Sequence, residues 1–220
     1  MPDQSAYAPT ERTVPTRSRD RAAYDRATVH AILDAAYVCH LGFVRDGTPV
    51  VLPTLYGRVG ERLYVHGSTG SRPLRLAGGG EPGLAVCLTV THVDGLVLAR
   101  SAFHHSINYR SVVVQGTARP VTDPDEKRTA LDALVDHVVP ERSRDSRPAN
   151  ARELAATAVL GLDLDEVSAK IRTGGPNDDP EDLPLPHWAG VVPVRQTYGS
   201  LVPADDLAPG TAVPPYLSVL

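Results

Sequence analysis

Aromatic residues are scarce in this chain. Two phenylalanines, one tryptophan and eight tyrosines among 220 residues leave little for a surface that stacks on unpaired bases. Basic excess is missing as well: the net charge is −4, where a nucleic-acid partner calls for a positive face. Cysteine is limited to Cys39 and Cys87, both in apolar, strand-like surroundings where buried free thiols are expected. No apolar run approaches the length of a membrane span. The opening MPDQSAYAPTERTVPTRSRD has no apolar core of the signal-peptide kind. These absences exclude nucleic-acid and membrane partners and point to a reduced, cytoplasmic protein. There is no Gly-Lys-Ser/Thr phosphate loop, no Gly-x-Ser-x-Gly elbow, no Cys-x-x-Cys or His-x-x-x-His, no nicotinamide fingerprint and no internal repeat.

What is present suffices for one domain with appendages, since 42% of the residues are hydrophobic and 22% charged. Residues 1–19, with Pro2, Pro9 and Pro15 among polar neighbours, read as a flexible N-terminal arm. Val29, Ile32, Leu33 and Ala36 recur at helical spacing. Residues 37–44 read as a strand, and Asp46-Gly47 is a hairpin turn signal. Strands then follow over 50–56 and 62–66, with Gly60-Glu61 between them, and a short helix follows with Pro73 in its first turn. Gly78-Gly79-Gly80 ends that helix.

Residues 84–90 and 96–100 read as two strands joined through Asp94-Gly95, and 109–118 is the longest strand candidate. Thr122 or Asp123 caps a helix running through Ala130, Leu131, Leu134 and Val138, and a second helix is expected between Ala149 and Thr157. Residues 159–171 and 190–194 return as strands around a mobile acidic loop at 174–180, and a proline-rich tail covers 201–220. Hairpin-linked strands interrupted by one short helix predict a mainly β fold, an antiparallel barrel with flanking helices.

The chemistry-bearing stretch is Val50–Leu76. Gly67-Ser68-Thr69-Gly70-Ser71 is small and polar, with Arg72 and Arg75 behind it. Hydroxyls, helix-start amides and a guanidinium together can receive a phosphate. A strand-to-helix connection with a solvated arginine is the alternative reading. His66 ends the strand before this loop, and either faces a ligand or packs on Tyr64 and the loop backbone. His104, His105, Ser106 and Asn108 form a polar cluster read as a hairpin loop, because adjacent strand residues point to opposite faces and rarely ligate one ion. No metal site is expected, and the acidic residues at 178–182 read as a solvated loop. Trp188, the only tryptophan, is expected to pack in the core or at an interface.

Pro53-Thr54, Leu63-Tyr64-Val65-His66-Gly67, Ser71-Arg72, the run Ala99–Val113 and Trp188-Ala189-Gly190-Val191-Val192-Pro193 occur in a telling order. Together they resemble the pyridoxamine-phosphate-oxidase-like flavoproteins with an FMN-binding split barrel of Greek-key type, over about residues 20–200. The closer resemblance is to the branch of 5-nitroimidazole resistance proteins. It implies a homodimer with FMN at the subunit interface, the isoalloxazine bordered by Leu52, Pro53, Thr54 and Leu55, and the phosphate held by Ser71 and Arg72. Pro73 stands where the family often has lysine, which shifts that task toward Arg72, Arg75 and Arg110. His66 resembles the histidine facing the flavin and is the candidate catalytic residue. The implied function is an FMN-dependent oxidoreductase acting on a small organic acceptor. Related barrels bind a deazaflavin coenzyme or haem, so a non-catalytic carrier, sensor or regulator is the alternative.

Overall fold

Nine strands among the described residues form one continuous antiparallel system. The computed structural model describes residues 5–79 and 83–219, apart from the side chains of Arg72, Leu74 and Val219. In chain order the elements are β1 (Ala22–Ala23), α1 (Arg26–Asp34), β2 (Val38–Arg45), β3 (Thr48–Val59), β4 (Arg62–Ser68) and α2 (Arg72–Gly78). Then come β5 (Leu84–Leu98), β6 (Ser106–Pro120), α3 (Pro124–Val138), α4 (Ala151–Ala156), β7 (Thr157–Asp163), β8 (Glu166–Arg172) and β9 (Gly190–Pro193). Strands β2, β3, β4, β7, β6 and β5 pair in a ring that closes back on β2. β8 and β1 extend from β6, and β9 from β5. No helix among the described residues is long and apolar enough to cross a membrane.

Local chemistry accounts for these elements. Asp46 and Gly47 both adopt positive φ, 50° and 74°, the geometry a two-residue turn needs to match strand twist. Gly60 does the same at 56° between β3 and β4. The Asp25 side chain accepts from the Thr28 amide and caps α1, whose Val29, Ile32 and Leu33 are buried. Asp123 likewise accepts from the amides of Asp125 and Glu126 at the start of α3. Alternate strand residues, among them Cys39, Leu41, Phe43, Leu63, Val65, Leu88, Val112 and Leu160, fill the barrel interior. Each such side chain contributes about 1.5–3 kcal/mol by leaving water. Burial also pushes the Cys39 thiol up to about 12, so it is inert at neutral pH. Helix α3 packs close to β3 at Gly57, where a Cβ would lie 3.0 Å from the Ala133 carbonyl carbon.

Five expectations need correction. Asp94-Gly95 does not close a hairpin: β5 runs straight through, and the register against β6 slips between Val93 and Gly95 as a bulge. The first residues are not a loose arm from residue 5 onward. Tyr7 is 4% exposed, its hydroxyl donates to Glu61 at 2.7 Å and meets His30 at 3.0 Å, and Thr13 is buried too. The acidic loop is fastened, because Asp178, its side chain only 2% exposed, takes the Arg100 guanidinium and amide at 2.8 Å each. Arg172 meanwhile donates to the Gly175 carbonyl at 3.0 Å. Cys87 is exposed, since it points outward between the buried Val86 and Leu88. Trp188 is 66% exposed and lies over Gly190, which removes the core half of that expectation.

Candidate functional site

The barrel opens between two of its strands. β3 pairs with β4 only from Tyr56–Val65 to Val59–Arg62. Before Tyr56, β3 stays with β2, while His66, Gly67 and Ser68 follow β7 opposite Val159, Ala158 and Thr157. The edge of β3 facing this split has no strand partner among the described residues. Pro49 and Pro53 suit such an edge, since proline has no amide to donate to a ladder.

A cavity of about 380 Å³ occupies the split, which is within the range of small-molecule sites. Leu52, Pro53 and Thr54 of β3 form one wall, and Val65, His66 and Gly67 of β4 the other. Leu41 and Leu160 form an apolar floor, and Ser71 and Pro73 close the end where α2 begins. The loop before α2 is held by the Thr69 amide on the Ala156 carbonyl at 3.1 Å and the Ser71 amide on the Ser68 carbonyl at 2.8 Å.

Ser71 is the informative residue. It occupies the cap position of α2 but makes no side-chain cap bond, and its Oγ is buried without a hydrogen-bond partner among the described residues. A buried hydroxyl left unpaired costs about 1–3 kcal/mol, so it calls for a partner from outside the chain. His66 points outward from β4, exposed, with no hydrogen bond or ring contact to any described residue. The structure thus brings Leu52, Pro53, Thr54, His66 and Ser71 around one cavity.

Other expected site residues fall elsewhere. Leu55 lies outside the lining, exposed opposite Val38. Arg75 is exposed on α2, its side chain making no ion pair with a described residue. The Arg72 side chain lies outside the described residues. Arg110 is held by Asp94 in a two-pronged pair, Nε–Oδ2 2.8 Å and Nη2–Oδ1 2.9 Å, and is not among the lining residues. Leu41 and Leu160 were not anticipated. The Asp46-Gly47 turn fixes a register that sets Leu41 opposite Leu52, whereas Leu160 arrives from a strand far along the chain and leaves no local signal.

A family model described as pyridoxamine 5'-phosphate oxidase matches residues 25–171. The chain belongs to that family. Two solved structures resemble this chain over nearly its full length. The flavocytochrome Anf3 from Azotobacter vinelandii is 39% identical, covering 97% of this chain and 98% of its own, with a TM-score of 0.89. The FAD and heme binding protein from Mycobacterium smegmatis is 41% identical, covering 90% of this chain and 96% of its own, with a TM-score of 0.84. A protein from Bacteroides thetaiotaomicron named for 5-nitroimidazole antibiotic resistance shares the fold at 22% identity, covering 68% of this chain and 86% of its own, with a TM-score of 0.56. A search of curated proteins finds no match.

Proposed function

We propose that the chain is a flavin-binding redox protein whose flavin ring lies along the free edge of β3 and whose phosphate reaches Ser71. The observation that carries this reading is the buried, unpartnered Ser71 Oγ at the closed end of the cavity. Leu41 and Leu160 would exclude water beneath the ring, and the unpaired β3 edge would offer backbone groups to its polar rim. Arg72 and Arg75 would supply positive charge near the phosphate. His66, free on the opposite wall, would hold or release a proton toward a small organic acceptor. When bound, a flavin supplies reversible hydride or electron transfer.

The family resemblance implies FMN. The likeness at 39–41% identity to proteins named for FAD, heme or a flavocytochrome favours a second form of the same reading, FAD together with haem. A homodimer in the cytoplasm, completing the cavity from a partner subunit, belongs to the same proposal. The test is the absorption spectrum of the purified protein, followed by acid release and chromatography of its flavin and a haemochrome assay. Flavin bands are expected, and the released form separates FMN from FAD. A protein that neither retains nor takes up FMN, FAD or riboflavin overturns the reading.

A further inference from the structure

The connection between β5 and β6 carries a second cluster of ligand-type side chains, none of which lines the cavity. His104 ends the turn Ala102–His104, and Asp179 and Asp182 belong to the acidic loop bonded to it. One ring nitrogen of His104 and one carboxylate oxygen from each aspartate all lie within 4.8 Å of one another. The pair His104 Nε2 and Asp179 Oδ2 is 3.0 Å apart. Asp182 is half-buried, and its carboxylate has no hydrogen-bond partner among the described residues. Asp178, Asp179, Glu181 and Asp182 stand almost side by side, and among the described residues Asp178 alone of them pairs with an arginine.

We propose that His104, Asp179 and Asp182 form a binding site for one divalent first-row transition cation of the Zn²⁺ type, separate from the flavin site. Three observations support it. Metal–ligand distances of about 2.0–2.2 Å for imidazole nitrogen and carboxylate oxygen put neighbouring donors about 3.0–3.4 Å apart around an ion. The His104–Asp179 pair already stands at that spacing, and a side-chain rotation at Asp182 brings in the third donor. The donors are also presented on braced backbone. Directly before Asp179, the Asp178 side chain is 2% exposed and takes the Arg100 guanidinium and amide at 2.8 Å each. The Asp182 amide donates to the Asp179 carbonyl at 2.9 Å, and the Phe103 ring stands edge-on to His104 at 5.1 Å. A buried ion pair adds little net stability once desolvation is counted, so this bracing serves position. Finally, the donor set is mixed, with an imidazole from one segment and carboxylates from another. An all-carboxylate loop suits Mg²⁺ or Ca²⁺, whereas the imidazole turns the preference toward Zn²⁺. The ion would complete its shell with water, relieve the repulsion between the carboxylates and pin the acidic loop to the β5–β6 connection. The rival reading is that His104 and Asp179 form only an ion pair.

The tag-free full-length chain, dialysed against chelator, is titrated with ZnCl2 by calorimetry while Trp188 fluorescence is followed in parallel. Trp188 is the only tryptophan and lies on the same segment shortly after Asp182, so its emission reports the loop. Wild type is expected to take up one ion per chain with a change in that emission, and MgCl2 at the same concentration should give neither. Losing even an outer-shell partner costs about 10–100-fold in metal affinity, so removing a direct ligand should cost at least about tenfold. His104→Ala and the isosteric Asp182→Asn should each show that loss, with circular dichroism confirming their fold. His105→Gln and His187→Gln, both exposed histidines outside the triad, should match wild type. No saturable ZnCl2 uptake by wild type overturns the site and leaves His104 and Asp179 as an ion pair. Undiminished uptake in either triad variant, or uptake lost in His187→Gln, puts the ion elsewhere and overturns it as well.

Discussion

Replacing Ser71 by alanine separates a ligand-binding hydroxyl from a helix cap, because the two roles predict stability changes of opposite sign. A serine that caps a helix stabilises it, and losing the cap costs about 0.5–2 kcal/mol. Here the cap bond is not made, and the Oγ is buried with no partner among the described residues. An unpaired buried polar group costs about 1–3 kcal/mol, so its removal should leave the flavin-free protein at least as stable, with a gain up to about that size. For a chain of this length each kcal/mol moves the midpoint by about 2–4 °C. Flavin-free Ser71→Ala should therefore melt at or above wild type. With flavin the order reverses. A hydrogen bond to a charged phosphate is worth about 1.5–3 kcal/mol, or about ten- to a hundredfold in affinity. Fluorescence titration with FMN should show that loss, and riboflavin, which has no phosphate, should not. Flavin-free Ser71→Ala that melts several degrees lower would show the hydroxyl to be structural. Equal losses for FMN and riboflavin would remove the phosphate from this end of the cavity.

Gly57→Ala pushes a methyl to 3.0 Å from the backbone of α3 and should cost about 1–3 kcal/mol in urea unfolding, as overpacking does. Asp123→Ala removes a cap that accepts two amides and should cost about 1 kcal/mol, read by the same urea unfolding. The Arg110 hydrogen bond beside Asp94 holds its carboxyl below the ordinary value of 3.8. A depressed carboxyl stabilises the fold above its unfolded value, and that contribution is lost as pH falls through the folded one. Asp94→Asn should accordingly flatten stability against pH below about pH 4, by a small amount because the pair is partly exposed. A slope unchanged from wild type would show that the pair carries no pH dependence.

Much of the barrel was legible because its signals are local. Asp46-Gly47 and Gly60 fix two hairpins, and those hairpins place Pro53 and His66 on facing strands, so the two walls of the cavity follow from turn chemistry alone. What escaped depends on partners distant in sequence or on strand parity. Tyr7 is buried because Glu61 and His30 wait for its hydroxyl, 54 and 23 residues away. Asp94-Gly95 carries the residues of a tight turn, but a glycine in a long strand serves a bulge equally well, and β9 pairing at Gly95 favours the straight course. That bulge also sets Asp94 within reach of Arg110 and so neutralises a cation the sequence left free. Cys87 was misread although alternation already marked it, since its neighbours Val86 and Leu88 are the ones that face inward.

The pairing of β4 with β7 sets an order of events in time. Ser68 meets Thr157 and Val65 meets Leu160, so one wall of the cavity waits for chain made roughly ninety residues later. The β2–β3 and β3–β4 hairpins can form as soon as their turns leave the ribosome, but ring closure is a late, non-local step of the kind that slows folding. Until β7 docks, Leu160 is absent from the cavity floor and the Thr69 amide has no Ala156 carbonyl to hold its loop. A nascent chain stopped before β7 would therefore present both hairpins and bind no flavin. Cofactor capture should report the final closure of the barrel rather than its first collapse.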